Sequence, residues 1–169
     1  IRQCHIWGCN RGIVNIKGSS ATNPAVIERN LIHDIQEYGM LLNSSNHDFL
    51  SIRNNIIYNT GRDGINSGGD NIISIVNNTF HNAGTASTSY GPLVAYASND
   101  TPNTSLLEFK NNVITNTVSQ NKALTASVSY RSHNYISGTF TTYFPGGNQL
   151  GEVSSSTVLF SNLANKDFS

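Results

Sequence analysis

The sequence predicts an all-β solenoid, a chain wound into stacked turns of short parallel strands. Three observations predict it. A degenerate repeat of about 25 residues recurs with asparagine at its fixed point. Apolar residues keep strict places on either side of that asparagine. Asparagine itself is abundant, at 24 of 169 residues, while charged residues are only 12%. Asparagine favours turns and tolerates left-handed backbone. The composition therefore describes many short strands joined by many tight turns.

The copies read Ile1-Arg2-Gln3-Cys4-His5-Ile6-Trp7, Ile27-Glu28-Arg29-Asn30-Leu31-Ile32-His33 and Ile52-Arg53-Asn54-Asn55-Ile56-Ile57-Tyr58. They continue as Ile75-Val76-Asn77-Asn78-Thr79-Phe80-His81 and Phe109-Lys110-Asn111-Asn112-Val113-Ile114-Thr115. The fixed points are Cys4, Asn30, Asn55, Asn78 and Asn112, in steps of 26, 25, 23 and 34. With that residue as position n, position n−5 holds Ala25, Leu50, Ile73 and Leu107, and n−3 holds Ile1, Ile27, Ile52, Ile75 and Phe109. A period of two predicts a strand with one face buried. The asparagine interrupts it, and a second strand follows with Ile6, Ile32, Ile57, Phe80 and Ile114 at n+2. A third apolar run starts at Gly12-Ile13-Val14, Gly39-Met40-Leu41, Gly64-Ile65 and Leu93-Val94-Ala95-Tyr96.

Each repeat thus supplies three strands and three turns, with no helical stretch between them. Parallel strands in a flat sheet need long crossovers. A coil avoids them, because each strand pairs with its equivalent one turn later. The expected architecture is a parallel β-helix of about five to six coils. Its fixed asparagines should stack about 4.8 Å apart, each amide donating to the next. Residues 1–137 are read as coils, with a long polar excursion at 82–105 around Tyr90-Gly91-Pro92. Residues 138–169 are read as an irregular capping segment of the same domain.

The motif apolar-x-Asn-Asn-x-apolar, followed by a Gly-apolar pair, resembles the right-handed parallel β-helix repeat family, the pectate-lyase-like superfamily. The resemblance covers roughly residues 1–137 and is silent on substrate. The right hand fits the general rule for parallel crossovers. The tail Leu159-Phe160-Ser161-Asn162-Leu163 to Phe168 resembles the end segment of secreted bacterial β-helix proteins. It implies a secreted or cell-surface domain cut from a larger bacterial protein. Cut coil ends expose unpaired strand edges, which invite end-to-end self-association.

Composition also narrows the partners. The net charge is zero, which argues against nucleic acid or an anionic membrane as an electrostatic partner. No run approaches the ~20 apolar residues that span a bilayer. Cys4 and Cys9 are either small packing residues or one disulfide. No phosphate loop, zinc spacing or nucleophile elbow occurs.

Three columns remain as candidates. Position n+3 holds Trp7, His33, Tyr58, His81 and Thr115, expected to face outward. Such rings offer either a sugar-stacking platform or a purely structural aromatic ladder. Position n−2 holds Arg2, Glu28, Arg53, Val76 and Lys110. It reads either as a surface salt-bridge ladder or as an anchor for a uronate carboxylate, with Arg53 the best fork donor. The turns beyond carry Asp34, Glu37, Tyr38, Arg62 and Asp63, where Asp34 and Asp63 are candidate oxygen ligands for Ca²⁺. Arg62 and Tyr90 join Trp7 and Arg53 as expected polysaccharide contacts. The resemblance implies lyase chemistry: proton abstraction at C5 of a uronic acid, by Arg or Lys near Ca²⁺ or by a Tyr/His pair. His33, Tyr58 and His81 are the cluster with the latter chemistry. The Asp cluster and Arg-containing motifs of the Ca²⁺-dependent lyases are missing, and of the polygalacturonase motifs only an echo of the Asp-Asp segment stands at Asp63-Gly64-Ile65-Asn66. This leaves lyase or glycoside hydrolase catalysis open beside simple binding or an adhesive, filament-forming scaffold.

Overall fold

The computed structural model describes residues 1–17, 20–42, 48–67, 71–87, 90–95, 105–122, 128–142 and 151–155. Among them the chain forms strands and turns, arranged as three parallel sheets along a coil. The first sheet holds β3 (Ala25–Glu28), β6 (Phe49–Arg53), β9 (Ile72–Val76), β12 (Ser105–Lys110) and β14 (Val128–Ser132). The second holds β1 (His5–Trp7), β4 (Leu31–Ile35), β7 (Ile56–Thr60), β10 (Thr79–Ala83), β13 (Val113–Lys122), β15 (Tyr135–Thr142) and β16 (Val153–Ser155). The third holds β2 (Ile13–Val14), β5 (Met40–Leu41), β8 (Ile65–Ser67) and β11 (Leu93–Ala95).

Register follows the repeat. Ile27 pairs with Ile52 and Ile52 with Ile75, while Ile6, Ile32, Ile57, Phe80 and Ile114 form one continuous row. Both rows point inward, and every member from Ile27 and Ile32 to Phe109 and Ile114 is fully buried. Each such side chain contributes about 1.5–3 kcal/mol by leaving water. The third sheet needs glycine at its entry. A Cβ on Gly39 would lie 2.5 Å from the Gly64 carbonyl oxygen of the next coil, and one on Gly12 would clash likewise with that of Gly39.

The paired asparagines divide two tasks. The first of each pair, at n−1, takes the left-handed conformation: Gln3, Arg29, Asn54, Asn77, Asn111 and His133 all have φ between 52° and 58°. This bends the chain sharply from the first sheet into the second. The second asparagine forms the ladder. Asn30 donates from its backbone N (3.1 Å) and Nδ2 (2.9 Å) to Asn55 Oδ1. Asn55 does the same to Asn78, Asn78 to Asn112 and Asn112 to Asn134. Asn134 Nδ2 then donates to Glu152 Oε1 at 2.9 Å, a buried carboxylate that Arg131 also engages at 2.9 Å.

Two expectations change. Four turns carry all three faces, counting the Arg2–Glu28 bridge as the first face of the first turn. Two later turns, β12–β13 and β14–β15, contribute to two sheets only among the described residues. The coil also continues past residue 137, because β15 and β16 extend the second sheet and Asn134 extends the ladder. Asn134 escapes the pattern because its flanking repeat is eroded, with His133 where asparagine stood before. The tip of the 82–105 excursion, Tyr96 and the 159–168 tail lie outside the described residues.

Removing one ladder member strands its neighbours. Asn78→Ala deprives the buried backbone N of Asn55 of its acceptor, while Asn55 Nδ2 keeps the carbonyls of Ile27 and Arg53. The expected loss is about 3 kcal/mol of unfolding free energy, read by denaturant titration. Arg29, with φ of 56°, occupies a place where asparagine is better tolerated. Arg29→Asn is expected to raise stability by up to about 1 kcal/mol in the same measurement.

Candidate functional site

The outer face of the second sheet carries the rings. β1 is short and reads His5-Ile6-Trp7, so alternation sends Ile6 inward and both rings outward. Trp7 pairs in register with His33 on β4, and His33 with Tyr58 on β7. Trp7 and His33 lie parallel within 11° at 6.4 Å, and His33 and Tyr58 within 2° at 4.6 Å. The stack exists, but only its first part is open. Trp7 is 59% exposed, whereas Tyr58 is 6% and His81 3% exposed, and Thr115 is fully buried. Alternation separates this column from the core row, but the pleat does not decide what packs over the outer face. Of the expected triad of His33, Tyr58 and His81, the structure thus buries Tyr58 and His81 and leaves only His33 partly open.

His5, which sequence reasoning passed over, completes the open end. Its ring lies 4.3 Å from Trp7 and 4.8 Å from His33, and its Nε2 is 2.6 Å from His33 Nε2. His33 Nδ1 lies 2.8 Å from Asp34 Oδ2, and Asn59 Nδ2 donates to Asp34 Oδ1 at 2.9 Å. A carboxylate beside Nδ1 holds the proton there, so neutral His33 presents a lone pair at Nε2 and His5 Nε2–H donates to it. The alternation His5-Ile6-Trp7 was the available signal: it places two rings on one face of one strand.

The acidic candidates separate. Asp34 is a left-handed residue within β4, just before its last residue Ile35, bonded to His33 and Asn59. Asp63 is buried ahead of β8, accepting from Asn66 Nδ2 at 2.8 Å and the Gly91 backbone at 3.0 Å. Burial pushes the Asp63 carboxyl above its usual range, against those two hydrogen bonds. The two carboxylates occupy different turns of the coil and each is held by protein donors, so the expected Ca²⁺ pair is not assembled. No group of three or more His, Cys, Asp or Glu is placed to hold a metal among the described residues.

The cations form two parallel Arg–Glu–Arg ladders. Glu28 bonds Arg2 at 3.0 Å and Arg53 at 2.6 Å, and the Arg53 guanidinium holds its carboxyl below the usual range. Glu37 bonds Arg11 at 2.7 Å and approaches Arg62 at 3.5 Å. Arg53 also borders an open polar groove of about 520 Å³ on the first sheet, lined by Glu28, Arg29, Ser74 and Glu108. Arg62 lies over the rings of Tyr38 and Tyr90, at 5.5 and 5.6 Å. Arg62 and Tyr90 are thus brought together, but at the entry to the third sheet rather than on the ring column.

A coil of three parallel sheets with an inward asparagine ladder has a counterpart among known families: the profile described as "Right handed beta helix region" matches residues 11–101, more than half of the chain. The chain belongs to that family. The β-helix has no match among curated proteins and none among solved structures. In this β-helix the family match begins just after His5 and Trp7, includes His33, and runs through the coils that carry Asn30, Asn55 and Asn78.

His81 provides a stability readout. Burial pushes its imidazole below the usual range, and its contact with Thr115 opposes this only in part. The unfolded chain then binds the proton more readily than the folded one. The corresponding stability is present above about pH 6.5 and lost as pH falls toward the depressed folded value. The stability advantage of wild type over His81→Gln is expected to shrink between pH 7 and pH 5 in paired denaturant titrations. An advantage independent of pH contradicts the assignment.

Proposed function

We propose that this β-helix binds an acidic polysaccharide at the open end of its ring column, as a secreted or surface domain of the pectate-lyase-like type. The observation that carries the reading is the cluster of Trp7, His5 and His33, anchored by Asp34. The exposed indole offers an apolar face to the C–H face of a pyranose. The polar edges of His5 and His33 lie beside it for hydroxyl or carboxylate groups. In the catalytic form of this reading, His5 turns aside to free His33 Nε2, which takes the C5 proton of a uronic acid while Asp34 stabilises the imidazolium that forms. The C5–H electron pair becomes the new C4–C5 double bond, and the glycosidic oxygen leaves from C4 with a proton from solvent. Arg62 between Tyr38 and Tyr90 is a second anionic-sugar contact in this proposal.

A specific observation also favours a scaffold reading. Ile1, Trp7 and Val14, all on the first coil, are exposed apolar side chains. Stacking another β-helix against that coil would cover them, as in an adhesive or filamentous module.

The test is a panel of pectate, alginate and glycosaminoglycans with and without Ca²⁺, followed by absorbance at 235 nm and by affinity electrophoresis. Retardation that Trp7→Ala weakens at least tenfold is the expected result. Unsaturated product lost in His33→Gln adds the lyase step. No retardation by any polymer, together with concentration-dependent assembly in sedimentation, replaces sugar binding with the scaffold reading.

A further inference from the structure

We propose that His5 and His33 form a binding site for a borderline transition-metal dication such as Zn²⁺, Ni²⁺ or Cu²⁺. The two Nε2 atoms converge on one point, 2.6 Å apart on adjacent coils. One proton lies between them, so one nitrogen already presents a lone pair to the other. His33 is held in the tautomer that a metal requires. Its Nδ1–H faces Asp34 Oδ2 at 2.8 Å, and Asn59 fixes the other carboxylate oxygen at 2.9 Å. A carboxylate behind a ligating imidazole orients the ring and raises its basicity.

The donor set selects the ion. Two neutral imidazoles suit Zn²⁺, Ni²⁺ and Cu²⁺ and disfavour Ca²⁺, which takes oxygen. Metal–nitrogen bonds of ~2.0–2.1 Å at a tetrahedral angle place the two nitrogens ~3.4 Å apart. The pair must therefore open by about 0.8 Å. The exposed His5 ring can rotate by that amount. On binding, the proton of His5 moves from Nε2 to Nδ1 by exchange with solvent. Both rings stay neutral and nothing is oxidised. The remaining coordination positions belong to water, since no third protein ligand joins the pair among the described residues.

The molecule carries its own reporter. Trp7 is the single tryptophan, and its ring is 4.3 Å from that of His5. Ni²⁺ or Cu²⁺ at the site would quench its fluorescence. Titration of the intact chain with NiCl₂ is expected to give saturable quenching, reversed by EDTA and displaced by non-quenching Zn²⁺. His5→Gln and His33→Gln should each abolish the saturable phase. Asp34→Asn should weaken it by about tenfold, as a positioning residue. Circular dichroism checks that each variant keeps its β signature. Without any variant, Zn²⁺ should shift the imidazole resonances of His5 and His33 before those of the other histidines. Quenching that is linear in metal and unchanged in His5→Gln, or earlier shifts at other histidines, overturns the site. The proposal uses the same side chains as the sugar-binding reading. It is measured with no polysaccharide present, so the two fail separately.

Discussion

The ladder of buried asparagine amides is the constraint on which the rest of this molecule depends. A coil must turn between sheets, and each turn buries backbone groups that no strand pairing can reach. The asparagine at each ladder position solves this in two directions. Its oxygen accepts from the backbone and side-chain N–H of the previous coil, as Asn55 does for Asn30. Its Nδ2 donates onward and back to main-chain carbonyls, as Asn78 does to Ile52 and Val76. An aspartate would bring a buried charge, and an aliphatic residue would leave donors unpaired. The ladder also needs a terminus, and Glu152 supplies it as an acceptor whose charge is met by Arg131.

Because the ladder fixes the register, every other column is stacked by consequence. The inward isoleucine and phenylalanine rows bury apolar area. The outward columns repeat chemistry at the spacing of one strand. Opposite charges alternate along Arg2–Glu28–Arg53 and again along Arg11–Glu37–Arg62. Exposed pairs of this kind are individually worth little. Their effect is to neutralise a surface on which like charges would otherwise face each other every coil. The same stacking that makes a stable ladder makes a linear array of ligand contacts, so coil geometry alone does not separate structural columns from functional ones.

Solvent access separates them. Along the ring column, Trp7 is open and Tyr58 and His81 are covered, although all occupy equivalent places in the repeat. The open part of the column is thereby confined to the first two coils. There His5, His33 and Asp34 form a hydrogen-bonded chain beside the exposed indole, which Asn59 of the third coil extends. That chain crosses between coils diagonally: His5 pairs in register with Leu31, not with His33. A contact of this kind lies outside any one repeat position.

The sequence by itself determined the coil, its three strands per turn, the core rows and the ladder. These follow from spacing and residue type, because periodic burial and amide stacking leave a periodic trace. The Asn-Asn pairs marked the bend, although their division of labour between a left-handed residue and a ladder residue needed the backbone angles. Eroded copies hid Asn134 and the strands beyond it, since His133 takes the left-handed place with no asparagine to flag it. Only the tertiary structure decided which rings meet solvent, that Asp34 and Asp63 stand apart, and that His5 joins His33. Those facts depend on side-chain packing across neighbouring coils and over the sheets' outer faces, which a period along the chain does not encode.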